Sequence, residues 1–155
     1  EQMDRLDYVE ACAHETMRLK PVAPMIGLQA LQDTEIGDVR VPRGAVVLAL
    51  MRRDSVSDRH LPDAERFMPE RWLDGTTVAG QPKRISMPFG AGPRICPGRY
   101  LALLEMKMAI AMLLNRFDIE AVDTPDGRPA AESLSFTMAP VGLRMRLRER
   151  TEAAP

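Results

Sequence analysis

A chain of 155 residues that is 45% hydrophobic, with a formal net charge of −1, can bury a core and fits one domain on length. The balanced charge leaves no electrostatic case for nucleic-acid binding. Two cysteines exclude a disulfide framework, and no apolar run approaches the roughly 18 residues of a membrane span. A cytoplasmic setting with no membrane segment is therefore expected. No signal peptide is visible, and the chain starts at Glu1 rather than Met, so a piece of a longer protein is expected.

Residues 1–20 predict a helix. Leu6, Val9, Ala13, Met17 and Leu19 form its apolar stripe, and Pro21 ends it. Glu15 and Arg18 lie three apart, share one face and can pair. Cys12 and His14 point to different sides, and with His60 they make no metal set. Residues 21–26, marked by Pro21 and Pro24, read as extended. Residues 34–41 alternate about Gly37-Asp38, a hairpin signal. Residues 45–51 are a continuous apolar run, which predicts a buried strand. Residues 58–64 read as loop, with a short helix opening at 61–63. Residues 75–83 are polar and marked by Gly and Pro, so they read as loop.

Residues 98–115 predict a buried helix whose stripe is Leu101, Leu104, Met108, Ala111 and Met112. Residues 117–122 predict a strand, and Pro125-Asp126-Gly127 a turn. Residues 143–148 alternate strictly, which predicts a half-buried strand with its arginines toward water. That row has no interleaved aromatics, so it does not read as a nucleic-acid stripe. Residues 151–155 read as a tail.

One stretch carries chemistry. Phe89-Gly90-Ala91-Gly92-Pro93-Arg94-Ile95-Cys96-Pro97-Gly98 is a tight loop that presents a single cysteine and then enters a helix. Gly90, Gly92 and Gly98 permit turns closed to other residues and a close approach of a bulky ligand. Pro97 falls in the first turn, where a helix tolerates proline best. Cys96 then lies at a helix N-terminus, whose dipole favours thiolate. Arg94 adds a fixed positive charge. A soft anionic sulfur suits iron.

This loop resembles the haem-binding signature of the cytochrome P-450 family, F-x-x-G-x-R-x-C-x-G, met by Phe89, Gly92, Arg94, Cys96 and Gly98. Glu15 and Arg18 resemble the family's E-x-x-R. Phe67-Met68-Pro69-Glu70-Arg71-Trp72 resembles its F-x-P-E-R-F/W segment, and Arg52-Arg53-Asp54 its basic-Arg-Asp segment. The resemblance implies an α+β fold, mainly helical with small antiparallel and mixed sheets. Residues 1–155 are then the C-terminal haem-binding part of one larger domain. It implies a buried structural triad of Glu15, Arg18 and Arg71. It implies haem (iron protoporphyrin IX) held through Cys96 as axial ligand, Arg94 on a propionate, Phe89 against the thiolate side, and Gly90, Gly92 and Gly98 in the loop. No catalytic residue beyond the haem ligand is expected in these residues. Ala23, Met25, Ile26 and Phe136 are expected to line a substrate cavity.

The implied activity is that of a monooxygenase inserting one atom of O2 into a small organic substrate. Electrons come from NAD(P)H through a flavin or iron-sulfur donor. Lys83, Arg84, Arg94, Arg99 and Lys107 are expected to form a basic patch for that donor. The family's oxygen-activation helix is not in this sequence, so the 155 residues alone are expected to hold haem weakly and to be inactive. Two features belong to this sequence in particular. Pro97 has no N–H, which removes one donor to the sulfur. Gln29 stands where many relatives carry a basic residue for a propionate. Other readings are a haem-binding redox or sensor module without oxygenation, and a truncated remnant without cofactor.

Overall fold

The computed structural model describes residues 6–73 and 81–151, with only the backbone of Gln81 and Lys83. Helix α1 (Asp7–Leu19) is the centre of the packing. Acidic Asp7 and Glu10 sit in its first turn and Arg18 in its last, which complements the helix dipole. The Lys20 N–H closes the C-terminus on the Thr16 carbonyl at 2.7 Å, and Pro21 stops the helix. Ala11, Ala13, Glu15, Met17 and Arg18 are all buried, so the helix is covered on more sides than one stripe. Of the residues predicted helical before Asp7, Leu6 serves as N-cap, and the first five lie outside the described residues.

The described residues form four two-stranded antiparallel sheets. Strand β1 (Met25–Gln29) pairs with β4 (Val46–Leu50), with Met25 opposite Leu50 and Gln29 opposite Val46. Strands β2 (Thr34–Ile36) and β3 (Val39–Val41) form the expected hairpin, turned by Gly37 at φ +63°. Strands β5 (Phe117–Asp123) and β8 (Arg144–Glu149) pair, with an irregularity between Ile119 and Ala121. Strands β6 (Ala131–Leu134) and β7 (Met138–Val141) make the last hairpin. No mixed sheet occurs among the described residues.

Two short helices, α2 (Met51–Ser55) and α3 (Gln81–Ile85), and two 3-10 turns, Pro69–Trp72 and Gly92–Arg94, connect these parts. The loop reading of residues 81–83 is therefore corrected to helix, and residues 74–80 lie outside the described residues. Residues 61–63 open no helix; they lie in turns, with Asp63 at φ +51°. Helix α4 (Arg99–Arg116) is the longest element.

The apolar pattern of two elements is real, but the faces are bare. On β4, Val46, Leu48 and Leu50 are exposed while Val47 and Ala49 between them are half-buried, so the run at 45–51 is not a buried strand. On α4, Leu101, Leu104, Met108 and Met112 are exposed, and the one buried side chain is Lys107. The reading of residues 98–115 as a buried helix is corrected accordingly: periodicity marks an apolar face without saying what covers it. Strand β8 is exposed along its length rather than half-buried. Two of its arginines meet acids, Arg146 with Asp123 at 3.9 Å and Arg148 with Asp118 at 2.8 Å and Glu120 at 3.2 Å, and Arg150 just past the strand also meets Asp118 at 2.8 Å.

Candidate functional site: the cysteine loop and the ion network behind it

Glu15 and Arg18 have no solvent-exposed side-chain surface. The Arg18 guanidinium donates to both Glu15 oxygens at 2.8 Å, a planar two-point pair that Lys could not make. Its remaining donors meet the backbone carbonyls of Ser55, Ala64 (2.6 Å) and Arg66 (3.1 Å). Arg71, also buried, stands 3.5 Å from Glu15 and donates to the Asp63 carbonyl at 2.7 Å. The three charged residues singled out in the sequence thus converge on one carboxylate.

Two further donors were not read from the sequence. The Trp72 indole N–H donates to Glu15 at 2.9 Å, and the Met68 backbone N–H at 3.0 Å. Trp72 also stacks on His14, centroids 4.8 Å apart. Burial pushes the Glu15 carboxyl up, but hydrogen bonds from Arg18, Trp72 and Met68 outweigh it and hold the group below the usual carboxylate range. Every partner of the Glu15 carboxylate is supplied by the chain itself.

The cysteine loop is built differently. The Gly90 N–H donates to the Met87 carbonyl at 2.8 Å, and the Cys96 N–H to the Phe89 carbonyl at 2.9 Å, which closes the loop on itself. Gly90 at φ +74° and Gly92 at φ +67° occupy the left-handed region that other residues resist. The 3-10 turn Gly92–Arg94 then leads through Ile95 to Cys96, and Gly98 is the N-cap of α4. A side chain at Gly98 would begin 3.8 Å from the Cys96 sulfur, so glycine keeps the space beside it open. Cys96 is a free, half-buried thiol two residues before that cap, and Phe89 is half-buried too. Arg94 is exposed, and its guanidinium has no acidic partner among the described residues.

Of the other expected site residues, Ile26 reaches the loop: its Cδ1 lies 3.8 Å from where a Gly90 side chain would begin. Met25 and Ala23 are exposed, and Phe136, at the tip of the β6–β7 hairpin, is 98% exposed. Gln29 is exposed and donates to the Gly44 carbonyl at 3.2 Å. The expected basic patch is smaller than the sequence suggests. Arg84 and Arg94 are exposed, and Arg99 is half-buried against the Cys96 carbonyl and the Tyr100 ring. Lys107 is buried and paired with Glu10 at 2.7 Å, so it is removed from the patch; the Lys83 side chain lies outside the described residues.

A self-closing glycine loop that offers one thiol at a helix entrance, held in an α+β frame, defines a thiol-presenting domain. The Cytochrome P-450 family model matches residues 1–147. Steroid 17-alpha-hydroxylase/17,20 lyase from Ovis aries is 36% identical over 152 residues, covering 94% of this chain and 30% of its own length. Cytochrome P-450 714A2 from Arabidopsis thaliana is 33% identical over 137 residues, covering 86% of this chain and 26% of its own. The crystal structure of a cytochrome P-450 (CYP102L1) superposes with a TM-score of 0.81 at 34% identity, over 97% of this chain and 33% of that one. The cytochrome P450DA heme domain gives 0.79 at 28% identity, over 96% and 32%. The chain belongs to the cytochrome P-450 family, the haem-thiolate monooxygenases, and has its α+β fold. It spans about 30% of the length of the curated relatives it matches. Among the described residues, no helix is long and apolar enough to cross a membrane.

Proposed function

We propose that these 155 residues are the C-terminal, thiolate-side part of a haem monooxygenase, with Cys96 as the axial ligand of the iron. The observation that carries this is the pairing of a half-buried free thiol with an open glycine beside it, at the entrance of α4. The residues present fit the group. Cys96 supplies the soft anionic donor that iron takes, and the start of α4 favours its charge. Exposed, acid-free Arg94 is suited to a haem propionate, by charge-assisted hydrogen bonds. Phe89 limits water on the sulfur side, while Gly90 and Gly92 let the backbone lie close to a flat ring.

With haem bound, the chemistry supplied is reductive activation of O2 and transfer of one oxygen atom to an organic substrate. The chain's own part is to present the sulfur at the entrance of α4 and to anchor the ring through Arg94. Electrons are proposed to come from NAD(P)H through a flavin or iron-sulfur donor that meets exposed Arg84 and Arg94. Ala23, Met25, Ile26 and Phe136 are proposed to line the substrate cavity. Turnover is proposed to need more than these 155 residues, because the matched relatives are about three times as long.

Titration of haem into the chain, followed by reduction under carbon monoxide, tests the reading. The expected result is weak binding with a thiolate-type absorption band that Cys96→Ser abolishes. Identical spectra for the two proteins would overturn it.

A further inference from the structure

A cleft of about 430 Å³ lies between the end of α1, the start of α2 and the base of the β6–β7 hairpin. None of its walls comes from the cysteine loop, nor from Ala23, Met25, Ile26 or Phe136. Its volume is that of a small-molecule site. Pro21, Val22, Pro129, Met138, Pro140 and Leu143 form an apolar lining. The walls are preset: the Met138 N–H donates to the Val22 carbonyl at 2.8 Å, and Pro140 faces Glu132 across the hairpin.

One side of this apolar lining is charged. Lys20, Arg52 and Glu132 all line the cleft, and the Glu132 carboxylate bridges Lys20 and Arg52. The pairing with Lys20 and Arg52, against the effect of burial, holds the Glu132 carboxyl below the usual range, so it is an anion at neutral pH. Two cations against one carboxylate leave a surplus of one positive charge. Lys20 and Arg52 are 57% and 34% exposed, and ammonium and guanidinium carry more N–H donors than one carboxylate can take up. Arg52 opens the Arg52-Arg53-Asp54 segment noted above, and neither Lys20 nor Glu132 belongs to any of the segments that carry the family resemblance.

We propose that this cleft binds a small lipophilic monocarboxylate, its chain against the proline and methionine walls and its head on Lys20 and Arg52. Charge selects the occupant: a lipophilic amine is repelled by the surplus charge, and a neutral alcohol leaves the free donors without an ionic partner.

The test is calorimetric titration of the full 155-residue chain with octanoate, octan-1-ol and octylammonium, alongside methyl NMR. Octanoate is expected to bind at least tenfold tighter than the other two, with shifts at Val22, Met138 and Leu143. Arg52→Gln should weaken octanoate roughly tenfold or more, from the loss of a charged hydrogen bond. Glu132→Gln, which removes the competing carboxylate, should tighten it. Equal affinity for acid and alcohol, shifts confined to other residues, or an octanoate affinity untouched by both variants would each overturn the proposal. Haem is not needed for any arm, so failure here is distinguishable from failure of the Cys96 assignment.

Discussion

The Glu15 network and the cysteine loop are two polar regions of one chain, built on opposite plans. Around Glu15 each charge is buried and answered from within: two arginines, an indole and a backbone N–H close on one carboxylate, while backbone carbonyls take up the other arginine donors. In the loop the backbone is satisfied, while the reactive groups are left over: a half-buried thiol and an exposed guanidinium with no acid beside it. A network that is complete has nothing to offer a ligand, and its removal costs stability. A loop that is complete only in its main chain has a sulfur and a cation to offer, and its removal costs binding. The contrast separates what holds this fold from what the fold presents.

The largest expected effect falls on the first region. Arg18→Ala leaves Glu15 buried and short of its main partner, and should destabilise the chain by about 3–5 kcal/mol. Urea unfolding followed by circular dichroism reads this, and a loss below about 1 kcal/mol would remove the network from the centre of the fold. Next comes Arg94→Ala, which should weaken haem binding roughly tenfold or more, the size of a charged hydrogen bond, with the urea midpoint unchanged. A shift in the midpoint with no change in haem affinity would reverse the two roles.

A smaller effect is expected from pH. The Glu15 carboxyl is depressed in the fold, so its contribution is complete above the ordinary carboxylate range. It is lost as pH falls from about 4.3 through the lower folded value. Stability should be flat near neutrality and fall in acid, with the fall shallower in Glu15→Gln, which has no proton to take up; parallel curves would count against the depressed value. The finest test concerns Pro97, which has no N–H to share with the sulfur. Replacing it, as Pro97→Leu, restores a donor and should raise the haem reduction potential, read by redox titration. An unchanged potential would show that the main chain after Cys96 does not reach the sulfur.

Legibility in the sequence followed the kind of signal each part carries. Helix α1, the hairpin at Gly37 and the cysteine loop rest on local patterns of spacing, glycine and proline, and these were readable. Glu15 and Arg18 pair through their spacing of three, whereas Arg71, far along the chain, is joined to them only through the family resemblance. The carbonyls of Ser55, Ala64 and Arg66 that surround Arg18 could not be read, because a backbone acceptor has no residue signature. Trp72 was quoted as part of a segment, but its N–H on Glu15 is a matter of three-dimensional placement. Lys107 looked like a surface cation and is buried on Glu10, since helix spacing alone does not say which neighbour arrives. The bare faces of α4 and β4 show the same gap from the other side: an apolar face was visible, its cover was not.

The most direct measurement is X-ray absorption at the iron edge of the haem-loaded chain, which reports the atoms bound to iron. One sulfur scatterer in the wild type, replaced by a light atom in Cys96→Ser, is the predicted result. A first shell of nitrogen and oxygen alone in the wild type, or a sulfur that persists in Cys96→Ser, would contradict the assignment of Cys96.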